Sequence, residues 1–150
     1  MLALEEQARE DISKDYYSSP STSGSNCEFV NMGSYGVKIY EDEEIRDQCY
    51  KSQGIAAEHE LGPAVGVKFS ITIDGIYSHC YITELAEALG DNNILFSPER
   101  GILKRKHGKE IDKIVLSLYD LGIDVGHDSH LANFGYLKGK LVCIDFDEPF

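Results

Sequence analysis

No apolar run in this chain approaches the length of a membrane span, and the opening "MLALEEQARED" lacks the basic residues and apolar core of a signal peptide. The sequence therefore predicts a mature cytoplasmic protein with no membrane partner. Paired cysteines are missing too. Cys27, Cys49, Cys80 and Cys143 stand far apart with no CxxC unit, which removes the usual zinc ribbon or redox dithiol. Without a secretion signal, the expectation is four reduced thiols. Basic charge is scarce: 14 lysines and arginines face 26 acidic residues, for a net charge of −12. So acidic a chain has no footprint for displacing counterions from a phosphate backbone, and direct nucleic-acid binding is not expected. The same charge has a plainer use in solubility. No internal repeat is present, and 150 residues suit one core domain with little room for another.

What is present falls into recognisable stretches. Residues 2–17 read as a helix with Leu2, Leu4, Ala8 and Ile12 loosely periodic, and "SSPSTSGSN" reads as a flexible connection. Residues 1–25 are thus set apart from a domain over 26–150. "CEFV" and "GVKIY" have the look of strands around the glycine-bearing turn "NMGSYG". Residues 42–59 return to helix, with Ile45, Gln48, Cys49, Ser52 and Ala56 on one face and acidic residues at the start, where the helix dipole favours them. "LGPAVG" stops that helix. "VKFSITID" and "YSHCYITEL" are strand-like runs joined by the turn "DGI". Residues 90–109 are polar, carry Pro98 and read as a surface wrap. Within them "KRKH" (104–107) is a solvated turn able to receive an acidic partner or a phosphate. Ile111, Ile114, Val115 and Leu118 then mark an amphipathic helix, and a final hairpin turns at Lys138-Gly139. This succession predicts an α+β fold in two lobes.

The end of the chain holds the most chemistry. In "GHDSHLANFGYLKGKLVCIDFDEP", Asp128 precedes Asn133 by five residues and Asp145 follows twelve later in an apolar run. A loop carboxylate, a nearby amide and a second carboxylate at a strand end are the parts that phosphoryl transfer needs. One group accepts a hydroxyl proton, and two hard oxygens hold the Mg²⁺ that neutralises the phosphates. His130 is placed to lie beside the transferred group.

"DSHLAN" followed by "CIDFD" resembles the catalytic loop and metal-binding strand of the protein-kinase-like superfamily, and its D-x-H-x-x-N form is similar to the aminoglycoside phosphotransferase branch. Upstream, "MGSYGVKIY" resembles a shortened glycine-rich loop carrying the nucleotide-clamping lysine, Lys38. Residues 42–59 look like the small-lobe helix, and "CYITELAE" like the last small-lobe strand running into the hinge. The resemblance spans residues 27–148 in order, and the combination of "KIY", "YITELAE" and "GKLVCIDF" is similar to the minimal kinase-like proteins of tailed bacteriophages. It implies a truncated kinase-like fold: an antiparallel small-lobe sheet with one helix (26–86), a hinge, then a helix and catalytic-loop hairpin (87–150), with most of the large lobe absent. It further implies ATP and Mg²⁺ as cofactors. Asp128 and His130 are the implied catalytic residues, Gly33, Ser34, Gly36, Lys38, Glu84 and Ala86 the nucleotide contacts, and Asn133 and Asp145 the metal ligands.

The departures are specific. Gly126 stands where the catalytic loop usually has histidine, and Asp147 follows Asp145-Phe146 in place of glycine. Lys38 follows Gly36 by only two residues, so a strand pair must be missing or compressed. Glu44 is the obvious carboxylate partner for Lys38, while Gln48 lies on the inner face of its helix. The sequence ends five residues after Asp145, leaving no activation segment and no platform for a peptide. Two functions follow. One is a minimal kinase that moves the γ-phosphoryl of ATP to a hydroxyl on a host protein, in the host cytoplasm if the chain is phage-encoded. The other is a catalytically silent kinase-like binder, a pseudokinase or acidic inhibitor that occupies a host factor. A homodimer fits either. Plainer readings stand beside each residue. Lys38 alone is more often a strand lysine reaching solvent, Gly33 and Gly36 a simple hairpin turn, and Glu84 an exposed charge. Zinc on the two histidines with Asp124 and Asp128 lacks a fitting spacing. A plain polar loop is disfavoured for Asp145, because a carboxylate between Ile144 and Phe146 is costly to bury.

Overall fold

The computed structural model describes residues 2–23, 27–89, 99–125 and 133–146. Its elements, in chain order, are α1 (Glu5–Asp15), β1 (Ser21–Ser23), β2 (Glu28–Asn31), β3 (Gly36–Tyr40), α2 (Glu43–Glu58), β4 (Val65–Ile73), β5 (Ile76–Thr83), β6 (Glu87–Ala88), α3 (Glu99–Asp120), β7 (Phe134–Leu137) and β8 (Lys140–Cys143). The fold is α+β. The chain divides into two compact units, Met1–Lys51 with Ala64–Leu85, and Ser52–Pro63 with Ala86–Phe150.

In the first unit, residues alternate between two faces of an antiparallel sheet with strand order β1-β2-β3-β5-β4. Val30, Val37, Ile39, Phe69, Cys80 and Ile82 fall on one face and are buried with Ala8 and Ile12 of α1. Tyr40 and Tyr81 fall on the other, packed with Cys49 of α2. The β4–β5 hairpin turns at Asp74 and Gly75, whose φ of 53° and 79° are the left-handed pair that a two-residue turn between twisted strands requires.

Two expectations for the start of the chain change. Helix α1 is part of the first unit's core rather than an appendage, because Ala8 and Ile12 are removed from water against the sheet. The serine-rich stretch is not wholly a connection: Ser21, Thr22 and Ser23 pair with Val30, Phe29 and Glu28. That pairing depends on a non-local partner, which local composition does not report.

Helix α2 begins where Asp42 accepts the Ile45 N–H at 3.0 Å, a side-chain cap on an otherwise unpaired donor, with Glu43 and Glu44 in the first turn. It ends by bonds from the Leu61 N–H to the Ala56 carbonyl and from the Glu60 N–H to that of Ala57, with Glu60 at φ 59°. Its residues through Lys51 belong to the first unit and those from Ser52 to the second.

The second unit packs α3 on a small sheet of order β6-β7-β8, burying Ile111, Ile114, Leu118, Phe134, Leu141, Cys143 and Phe146 together. Full burial of side chains such as Leu118 and Phe134 stabilises by roughly 1.5–3 kcal/mol each. Helix α3 is longer than expected: residues 99–109, read as a surface wrap, are helical, and the "KRKH" turn lies inside the helix. Glutamate, leucine, lysine and arginine are strong helix formers, and their summed propensity outweighs about 1 kcal/mol for each of the two glycines in the stretch. His107 is buried there, its Nδ1 3.2 Å from the Tyr136 hydroxyl. Among the described residues no helix is long and apolar enough to cross a membrane. None of the four cysteines forms a disulfide.

Candidate functional site

Lys38 sits in the middle of β3, directly opposite Phe29 of β2 and Tyr81 of β5. All three side chains therefore share the face that also carries Tyr40. The lysine is 5 % exposed, and its Nζ lies 5.8 Å from the centroid of the Tyr81 ring, within range of a cation–π attraction. The plainer reading, an ammonium that reaches solvent, does not hold in this structure. Burying an ammonium is costly unless charge or hydrogen bonds compensate it, so its retention on a central strand marks the position.

Around it the face is aromatic. Tyr81 stacks on Tyr40 at 5.9 Å and meets Tyr50 of α2 edge-on at 5.2 Å. Burial pushes the Tyr81 hydroxyl up to about 12, against opposing contributions from the positive Lys38 and a hydrogen bond with Tyr40. Burial also raises Tyr40 far above its ordinary value and takes Cys80 on the opposite face up to about 12. Tyr16 rises to about 12, first through its hydrogen bond to Glu28. Groups whose folded pKa is raised stabilise the fold fully below their unfolded values, 9.0 for the thiol and 10.0 for the phenols, and lose that contribution as pH climbs towards 12. Alkaline titration should accordingly show phenolate absorbance from Tyr16 and Tyr81 appearing together with loss of circular dichroism. Completion of the phenolate signal with the fold intact would contradict this packing.

The glycine-rich turn is less of a cradle than its sequence suggests. Gly33, at φ 98°, donates its N–H to the Asn31 side chain at 2.8 Å in an exposed turn with Ser34. Gly36 has a different reason to be glycine. A Cβ there would lie 2.8 Å from Cζ of Phe29 and 3.2 Å from the Thr83 methyl, so its absence lets the Phe29 ring lie across the strand. Gly36→Ala should cost about 1–3 kcal/mol by overpacking. Adding Phe29→Leu should recover part of that loss in a double-mutant cycle read by denaturant melts. Independent, additive losses would mean that Gly36 is not kept small by this ring.

Glu84 closes the end of β5. Its Oε1 accepts the Ala64 N–H at 3.1 Å and its own N–H donates to the Ala64 carbonyl at 2.9 Å. The side chain thus has a structural task. The chain leaves the first unit after Leu85, and half-buried Ala86 opens the second.

In the second unit the β7–β8 hairpin turns at Lys138 and Gly139, with φ of 52° and 81°. Phe134 pairs with Cys143, and the Ile144 N–H extends the ladder by donating to the Asn133 carbonyl at 2.8 Å. That register brings Asn133, 6 % exposed, and Asp145 to the same end of one hairpin. Asp145 lies two residues beyond β8 and is only half-buried, while Cys143 Sγ contacts its carbonyl oxygen at 3.2 Å. The expectation of a carboxylate costly to keep in an apolar strand is corrected accordingly, because the strand has ended and water reaches the side chain. Asp128 and His130 lie outside the described residues. Asn133 and Asp145 offer hard oxygen donors, which fit Mg²⁺ with its other places taken by phosphate and water. Among the described residues no three His, Cys, Asp or Glu side chains gather as a metal-binding group.

Residues that sequence reasoning passed over complete the first unit. Arg46 of α2 is buried, and its Nη1 donates to the carbonyls of Phe69 at 3.2 Å and Cys80 at 3.0 Å. Its Nε reaches Asp47 at 2.7 Å. Burial alone would raise the Asp47 carboxyl, but hydrogen bonds from Arg46 and Lys68 overcome it and hold the pKa below its ordinary value. Glu44, the expected partner of Lys38, is exposed and borders an open hollow with Glu43, Asp47, Gln48 and Lys51. Gln48 is only partly buried, and Arg46, Ser52 and Gln53 are the polar residues that α2 turns inward.

Compared with known proteins, the chain matches no family model and no curated protein.

Proposed function

We propose that this chain is an ATP- and Mg²⁺-dependent phosphotransferase of minimal kinase type, acting on a hydroxyl of a host protein. The observation that carries the reading is the buried Lys38 on the central strand of a five-stranded antiparallel sheet, with α2 inserted between β3 and β4. Supporting it is the hairpin register that gathers an amide and a carboxylate, the two hard-oxygen donors left by the "DSHLAN" and "CIDFD" motifs.

In this reading Lys38 engages the phosphates as a positive charge, and the backbone at Glu84 to Ala86 meets the adenine. Asn133 and Asp145 hold Mg²⁺, which when bound neutralises the phosphate charge. Asp128 orients the acceptor hydroxyl and takes its proton, and His130 lies beside the transferred group. Gly33, Ser34 and Gly36 form the turn that faces the phosphates in this reading, and Gly36 also makes room for Phe29.

The test is transfer of label from γ-labelled ATP with Mg²⁺, using the whole chain alone and with cell lysate of the candidate host. A labelled protein that disappears when Mg²⁺ is chelated supports the reading. No transfer to any protein in either mixture counts against it.

A further inference from the structure

The residues that join β2 to β3, Met32 to Tyr35, end in a tyrosine that is only 3 % exposed. Turn residues ordinarily lie at the surface. Tyr35 is instead buried in one cluster with Ala8 and Ile12 of α1, and its hydroxyl donates to Asp11 Oδ2 of that helix at 2.5 Å. The other oxygen of the carboxylate accepts from Gln7 Nε2 at 2.8 Å, which fixes its direction. Burial, and then the bond to Asp11, raise the Tyr35 pKa above its ordinary value, so the hydroxyl remains a donor at neutral pH.

The same turn is fastened to the chain that follows α1. The Asn31 N–H donates to the Pro20 carbonyl at 2.9 Å, and the Ser19 hydroxyl donates to the Met32 sulfur at 3.7 Å. Within the turn, the Met32 N–H closes on the Tyr35 carbonyl at 2.9 Å. Gly33 and Ser34, at the tip, stay exposed. The base of the turn is therefore held from outside its own hairpin, while the tip is open.

A plainer reading is that Tyr35 only fastens α1 to the sheet. That task has other means. Ala8 and Ile12 are buried with the sheet residues, Arg9 lies 5.5 Å from the Phe69 ring centroid, and the Tyr16 hydroxyl donates to Glu28 at 2.6 Å. Glu28 stands at the far end of β2, opposite Ile39, whereas Asn31 beside the turn stands opposite Gly36.

We propose that α1 sets the affinity of the site for nucleotide phosphates, by holding the 32–35 turn in one conformation through the Tyr35–Asp11 bond. The proposal rests on the reading of this turn as the one that faces the phosphates. Tyr35 is a positioning residue, since its hydroxyl is engaged by Asp11 and acts on the ligand only through the backbone of the turn. A short loop with a glycine at φ 98° has other conformations open to it. Binding weakens in proportion to the time the loop spends in them.

Calorimetric titration of the full-length chain with ATP and Mg²⁺ tests this. Tyr35→Phe keeps the buried ring and removes only the hydroxyl, while Asp11→Ala removes the acceptor and keeps a good helix former in α1. Each should weaken ATP binding about tenfold, the scale of one charge-assisted hydrogen bond, with the circular dichroism spectrum unchanged. The double variant should be no weaker than either single one. Tyr16→Phe removes the matching hydroxyl–carboxylate bond at the far end of β2 and should leave ATP affinity as it was. Without nucleotide, amide exchange over residues 31–36 should quicken in Tyr35→Phe and not in Tyr16→Phe. Unchanged affinity in Tyr35→Phe, additive losses in the double variant, or an equal loss in Tyr16→Phe overturns the proposal and leaves the phosphotransferase reading standing. An unaltered chain that binds no ATP removes that reading and the proposal together.

Discussion

Asp128→Asn should abolish phosphoryl transfer while ATP binding survives. A positioned proton acceptor contributes on the order of a hundred- to ten-thousand-fold in rate. The amide keeps the size of the carboxylate and much of its hydrogen bonding, but it cannot take the proton of the acceptor hydroxyl. In the proposed function, nucleotide binding draws on Lys38, Asn133 and Asp145 and does not need that proton transfer. The comparison requires label transfer and a biological readout in the host together, because the acceptor is absent from a purified mixture. Loss of both in the variant fits an enzyme. Full activity of Asp128→Asn in the host, with loss of effect on neutralising the acidic surface, would instead fit a kinase-like binder that acts by occupying its target.

The second large effect is structural. Arg46→Ala should destabilise the protein by about 3–5 kcal/mol, the range for truncating a large buried side chain that also makes charge-assisted hydrogen bonds. The guanidinium is buried, yet its carboxylate partners are not: Asp47 is 44 % exposed and Glu43 is 63 % exposed. Removing Arg46 leaves those carboxylates in contact with water, so unpaired buried charge contributes little. Most of the loss comes from the cavity and from the bonds to the Phe69 and Cys80 carbonyls. Arg46→Met fills much of the cavity without the bonds and should cost roughly 1–2 kcal/mol. Arg46→Lys puts a compact ammonium where a planar fork satisfied three acceptors, and should fall nearer the alanine variant. Equal losses for methionine and alanine in urea melts would show that packing has little part in the role of this residue.

Much of the local structure follows from short-range chemistry that a sequence displays. Asp74-Gly75 and Lys138-Gly139 are left-handed pairs, and flanking apolar alternation announces both hairpins. The acidic start of α2 and the Ile111–Leu118 stripe of α3 are likewise local signals. What escapes the sequence is set by distant partners. β1 exists only because β2 offers it a ladder, and α1 is held by just Ala8 and Ile12 among its buried positions. Glycines at 101 and 108 disguise the first half of α3, where helix formers outweigh them. Arg46 is invisible for another reason. A charged residue is read as exposed, and only the two strand carbonyls it reaches, Phe69 of β4 and Cys80 of β5, reveal why this one is not.

The candidate site divides the same way. Its residue types and order are plain in "GSYGVK", "ITELAE", "DSHLAN" and "CIDFD". Their settings are not. The burial of Lys38 between Phe29 and Tyr81 needs the strand register, and the exposure of Glu44 needs the rotation of α2 on the sheet. Gly36 matches a phosphate-loop pattern, and the ring of Phe29 accounts for it without any phosphate.

The central claim is that this chain binds ATP through Lys38 and a metal held by Asn133 and Asp145. Thermal unfolding of the whole protein in a titration of ATP, with and without Mg²⁺, measures that directly. A ligand at a hundred times its dissociation constant stabilises a single site by about 2.7 kcal/mol. The account predicts a rise in melting temperature that requires Mg²⁺, shrinks sharply in Asp145→Asn and disappears in Lys38→Met. An unchanged melting temperature at millimolar ATP with Mg²⁺, or a rise that both variants retain in full, would contradict it.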